Sequence, residues 1–412
     1  MLKDPLARDL YAQFCEMPTV DAHEHLHPEE RRVGRKVDIF LLFDQYLHTQ
    51  LVSAGMDPQK ASTLGSEEVP EEEKWEAVAP YLDRVRDCGC AGPPFEALRR
   101  FFGEEDLTAG NYAALSEKMR AHNSPGLFDR CLRETCGIAL VLNQNRTMWQ
   151  NDLFRPILPE DHFIGAHTRE AIESVAREMG ASAPRSLSAC VSLMEEFLAR
   201  RVAEGMIGVK GTAYAYEPGD PDAAALAYGR VVDGKARGGD GVLVATYLRD
   251  VLYERCGEQG IVVAKHSGVW AGGWADATNI RPTNIMPVAA RHRNTRFDLF
   301  HAGTPFPADA GFIARGFPNV WLNLCWSHLL SPRQATEALD LWLDMAPINR
   351  FFAFGGDYWW AVENVYGALA QAREVVARVL ARRIREEGMT ESRALMIARR
   401  WFHDNPREVY GV

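Results

Sequence analysis

Long apolar runs are missing from this sequence. No stretch approaches the roughly 18 uninterrupted apolar residues of a membrane span, so no membrane association is expected. The opening segment, MLKDPLARDLYAQF, has neither a long apolar core nor a small-residue cleavage site, so no secretory signal is expected. Cysteine is sparse. The 8 cysteines among 412 residues form no CxxC pair, which excludes a disulfide framework. Cys88 and Cys90 make a CxC with no second pair nearby, and read as loop chemistry. This usage suits a reducing cytoplasm. An excess of positive charge is also lacking. Net charge is −10, with Lys and Arg dispersed, which argues against a nucleic-acid partner. Neither internal repeats nor low-complexity tracts occur. What remains is an ordinary soluble composition, 25% charged and 47% hydrophobic, with enough apolar residues for a large core.

Short apolar runs recur along the chain. Strands are predicted at 19–23, 136–144, within 153–166, and at 206–214, 260–268, 296–303, 319–324 and 350–357. Amphipathic stretches separate them, at 186–205, 241–259 and 331–347 among others. Most of these strands are nearly all apolar, as in a parallel sheet covered by helices. About eight strand–helix alternations point to a single (β/α)8 TIM-like barrel domain over 1–412, with an open doubly wound sheet as the alternative. Residues 30–135 hold no convincing strand and read as a helical insertion after the first one. Within it, VDIFLLFDQYLHTQLVSAG is predicted as a helix.

Histidine is uncommon, yet TVDAHEHLHPEE places His23, His25 and His27 within five residues at the first strand's end. In an extended strand, residues two apart face the same side, so His23 and His25 can hold one cation. His27 precedes Pro28 and reads as a loop or supporting residue. In a parallel barrel, function collects at the C-terminal strand ends. Those ends carry Lys210 in strand four, Lys265-His266 in strand five, His301 in strand six, and Asp357 after Gly355-Gly356 in strand eight. Together they predict a metal site that activates water beside a carboxylate. His48, His122, His162, His167, His292 and His403 read as structural or surface residues.

The ordered set DAHEH, KHSG, FHAG and FGGD resembles the amidohydrolase superfamily, in particular its "amidohydrolase 2" branch. The resemblance covers nearly the whole chain. It implies that His23, His25 and Asp357 bind a divalent metal, one zinc per chain, with His266 as a further ligand. It also implies that His301 polarises the substrate and that Asp357 doubles as the base. Lys210 is then a carboxylated bridge, a substrate-carboxylate partner or a structural ion pair. The insertion is similar to that of uronate isomerases in the same superfamily. Two departures stand out. Where those enzymes have Asp-His-Tyr, this chain has Asp44-Gln45-Tyr46, and where they have Asp-Ser-Arg it has Asp357-Tyr358-Trp359.

Loop residues near these ends are further candidates for substrate contact: Tyr358, Trp359, Trp360, Trp326, His328 and Arg281. The expected function is metal-dependent hydrolysis of a small amide, ester or lactone. The alternatives are uronate-isomerase-like aldose–ketose interconversion, metal-dependent decarboxylation, and a metal-binding module without turnover. A small-molecule substrate, with carboxylates among the candidates, and a homo-oligomer complete the expectations.

Overall fold

The computed structural model describes residues 2–165 and 168–412, so His167 lies outside the described residues. Eight strands form in the predicted stretches: β1 (Thr19–Glu24), β2 (Ile138–Gln144), β3 (Phe154–Pro159), β4 (Gly208–Thr212), β5 (Val262–His266), β6 (Phe297–Leu299), β7 (Val320–Asn323) and β8 (Phe351–Phe352). They are parallel and follow one another in chain order, with helices between all of them except β2 and β3, which is the (β/α)8 barrel fold. The strand interiors are buried apolar residues such as Val141, Ile157, Val263 and Leu322. A strand covered on both faces needs this composition.

Packing divides the chain into two units. One comprises Met1–Asn143, Val269–Asp276 and Asn323–Pro406; the other comprises Gln144–Gly268, Ala277–Leu322 and Arg407–Val412. In the second unit, β4 pairs with β5 without a break, from Gly208 opposite Val262 to Thr212 opposite His266. In the first unit, β1 pairs with β2 less regularly. Asp21 lies opposite Val141 and Glu24 opposite Asn143, with a register shift between them. Three steps along β1 therefore match two along β2. Such bulges re-aim side chains and are frequent beside active sites.

Residues 29–135 contain helices and turns and, among the described residues, no strand. The stretch predicted as one helix over VDIFLLFDQYLHTQLVSAG is broken in two. A 3-10 turn covers Ile39–Phe43, capped by the Asp38 side chain, and a short helix covers His48–Ser53. The break falls at Asp44-Gln45, where Gln45 takes a left-handed φ of 63° that no α-helix accepts. The chain closes with helices at Glu391–Arg399 and Asn405–Tyr410, joined by a π turn at Arg400–Asp404. Tyr410 donates its hydroxyl hydrogen bond to Asp298 at 2.8 Å.

Arg32 shows how the insertion is tied to the strand-eight segment. It is almost wholly buried, pairs with buried Glu363 at 2.8 Å, and donates to the Trp360 carbonyl at 2.7 Å and to Asn123 at 2.5 Å. Removing one member of such a pair leaves an uncompensated buried charge, at a cost of about 3–5 kcal/mol. Arg32→Ala should therefore lower the unfolding free energy by about that much in a denaturant titration. Arg32→Ala combined with Glu363→Leu should recover most of the loss.

Candidate metal centre

The assigned part of β8 is two residues long, but the chain beyond it keeps running beside β1. Ala22 donates to the Phe354 carbonyl at 3.1 Å, Asp357 to that of His23 at 3.0 Å, and His25 to that of Tyr358 at 3.1 Å. Two glycines permit this approach. A Cβ on Gly356 would lie 2.0 Å from Glu24 Oε1, and one on Gly355 would lie 2.8 Å from the Cys325 Cβ. The FGGD motif thus has a packing cause. Asp357 follows with a left-handed φ of 65°.

That turn places the Asp357 carboxylate between two imidazoles. Its Oδ1 lies 3.2 Å from His23 Nε2 and 3.1 Å from His25 Nε2. The two rings stand edge to face, with centroids 4.7 Å apart. One ligand atom from each of the three residues lies within 4.8 Å of the others. Burial by itself raises the Asp357 carboxyl. The charges and hydrogen bonds of His23 and His25 outweigh it and hold the group well below the usual carboxylate range. Two imidazole nitrogens and one ionised carboxylate oxygen converging on a point are a donor set that suits zinc and similar divalent ions. His23 and Asp357 are buried and His25 is partly open.

Two further buried acids, Asp21 and Glu24, lie on either side of His23 in β1. Burial pushes the Asp21 carboxyl up to about 7 and Glu24 well above the carboxylate range. The buried Asp21 carboxyl nearby raises Glu24 further. Each also braces backbone. Asp21 Oδ1 accepts from the amides of His23 and Gly356, both at 3.2 Å, and Glu24 Oε2 from that of Tyr358 at 2.6 Å.

The Asp357 carbonyl is held from the insertion. Gln45 Nε2 donates to it at 2.7 Å, and the Tyr46 hydroxyl donates to the same oxygen. The Tyr46 ring packs on Trp326, with centroids 4.8 Å apart, and on Tyr358 at 5.3 Å. Trp326 is buried and left-handed, with φ 60°. Tyr358 is likewise buried, whereas Trp359 is 52% exposed and meets His25 edge-on at 6.1 Å. The His27 ring packs against Trp360, with centroids 4.0 Å apart and planes tilted by 32°. His328 is fully buried, and burial lowers its ring to about 4, so it stays neutral.

The other predicted residues lie in the second unit. His301 Nε2 and His266 Nδ1 are 2.9 Å apart, and His301 has φ 66°. Lys210 is buried, with Nζ 3.4 Å from Gln144 Oε1 and 4.2 Å above the Phe300 ring. Lys265 is taken up by Glu160 at 3.1 Å, and Tyr253 donates to the same carboxylate at 2.6 Å. Arg281 is half exposed and pairs with Asp309 at 2.6 Å. Cys90 makes a 3.6 Å contact with Gln50 and belongs to no candidate metal group among the described residues.

Sequence reading passed over Asp21, Glu24 and the hold that Gln45 and Tyr46 exert. The acidic residues flank His23 in DAHEH, which is a visible signal. The role of Gln45 leaves no local signal, because its partners lie more than 300 residues away.

The family model described as "Amidohydrolase" matches residues 161–412. No curated protein matches. Among solved structures, a uronate isomerase from Thermotoga maritima superposes with a TM-score of 0.82 at 15% identity, over 99% of this chain and 98% of that one. A glucuronate isomerase from Caulobacter crescentus gives 0.79 at 17% identity, over 100% and 95%. A putative metal-dependent hydrolase from Lactobacillus casei gives 0.66 at 15% identity, over 98% and 97%. At these identities the likeness is one of fold. With the family model spanning most of the chain and the motifs in place at the ends of the strands, the chain belongs to the amidohydrolase family.

Proposed function

We propose that this protein is a metal-dependent aldose–ketose isomerase acting on a sugar acid of the uronate class. The observation that carries the metal dependence is the convergence of His23 Nε2, His25 Nε2 and Asp357 Oδ1. The reaction type is supported by similarity of fold over nearly the whole chain to a uronate isomerase and a glucuronate isomerase.

His23 and His25 would hold the ion through Nε2, and Asp357 through Oδ1. A divalent metal there supplies Lewis-acid polarisation of a carbonyl oxygen. Asp357, kept well below the usual carboxylate range, is ionised at neutral pH and is therefore ready to bind it. Burial raises the Tyr46 hydroxyl far above its ordinary value, so it stays a proton donor to the Asp357 carbonyl. The roles that family resemblance gives the remaining residues complete the proposal. His266 is a further ligand and His301 polarises the substrate. Lys210, Trp326, Tyr358 and Arg281 contact it, and Arg281 would first have to leave Asp309.

Hydrolysis of an amide, ester or lactone is the second reading. It is favoured by Tyr358-Trp359 directly after Asp357, where no cation stands to meet a uronate carboxylate.

Metal content separates the site from its use. Wild-type protein loaded with zinc or manganese should hold about one ion per chain by elemental analysis, while His23→Ala and Asp357→Ala should each hold close to none. Incubation of the loaded protein with D-glucuronate, D-galacturonate and a lactone panel, read by mass spectrometry together with a colorimetric ketose assay, then separates the reactions. Isomerisation leaves the mass unchanged and forms a ketose, hydrolysis adds one water, and decarboxylation releases carbon dioxide. A lactone hydrolysed while both uronates stay unchanged would replace the isomerase reading with the second one.

A further inference from the structure

Gln45 uses both ends of its side-chain amide on one short piece of backbone. Nε2 donates to the Asp357 carbonyl at 2.7 Å, and Oε1 accepts from the Trp359 amide at 3.1 Å. The carbonyl and the amide two residues later are thus read together, a donor and an acceptor on one planar group. Glu lacks the donor, Met lacks both, and Asn is one methylene too short for the same span. Gln45 and Asp357 are both left-handed, at φ 63° and 65°. For residues other than glycine such backbone is strained and persists where surrounding contacts over-determine it. Tyr46 adds a second donor to the same carbonyl.

We infer that Gln45 is a positioning residue for the metal centre: its amide locks the 357–359 turn so that the Asp357 carboxylate stays aimed at His23 and His25. This rests on the metal-site reading above. It also means that Gln45 is committed to the protein's own backbone, and acts on the metal through Asp357.

Three variants test it without needing a substrate. Residues that orient metal ligands typically change affinity about 10–100-fold when replaced. Gln45→Met should weaken cobalt or zinc binding by about that factor in a competition titration with a chelator, and should alter the visible absorption spectrum of the cobalt-saturated protein. Gln45→Glu keeps the acceptor for Trp359 but sets a carboxylate against the Asp357 carbonyl, so it should weaken binding as well. Tyr46→Phe removes only one of the two donors and should weaken binding less. Combined with Gln45→Met, it should depart from additivity, because both act on one carbonyl. Thermal unfolding of the metal-free variants should stay near that of wild type, which separates aiming from folding. Wild-type affinity and an unchanged cobalt spectrum in both Gln45 variants would overturn the inference while leaving the metal site standing. A wild-type protein that binds no metal would instead overturn the site reading, and the inference with it.

Discussion

The centre depends on one backbone pairing: the segment after β8 running alongside β1. Four backbone hydrogen bonds, donated by Ala22, His25, His27 and Asp357, join the two segments. The pairing brings Asp357 next to His23 and His25, although more than 300 residues of chain separate them. Its tolerance is narrow. Gly355 and Gly356 leave no room for even one added carbon beside Cys325 and Glu24. The aim of the carboxylate is therefore a property of the packed strand ends.

Around this pairing the structure accumulates groups that are costly alone and stable together. Asp21 and Glu24 are fully buried acids that brace the 356–358 backbone. Arg32 and Glu363 form a buried pair that fixes the Trp360 carbonyl. Gln45, Trp326 and Asp357 are all left-handed, and all belong to one unit of the chain. Strained backbone and shifted carboxyl groups concentrate where function demands a fixed geometry. The second unit shows the same economy. Burial raises Glu160, but the charges of Lys265 and Arg249 outweigh it and hold the carboxyl below its ordinary range.

The barrel and the convergence of His23, His25 and Asp357 were legible in the sequence, because each rests on a local pattern. Apolar runs marked the eight strands, and HxH with a distant GGD marked the candidate metal centre. Other features left no local trace. The β1 bulge depends on the register of β2, so strict alternation in DAHEH could not show that Glu24 accepts from the Tyr358 amide. The periodic stretch around Phe43 favoured one helix, and the tertiary hold on Gln45 broke it. The clustering of His23, His25 and Asp357 is as expected. His266 and His301 are seen to bond each other, which spacing along the chain does not reveal.

The fold accommodates several chemistries at the same strand ends, so the ligand geometry is the claim on which the account stands or falls. Metal-edge anomalous diffraction from crystals of the zinc-loaded protein tests it most directly. The account predicts a single strong peak bonded by His23 Nε2, His25 Nε2 and Asp357 Oδ1, each at about 2.0–2.2 Å. A peak held by other residues, with Asp357 still locked between two metal-free histidines, would contradict it.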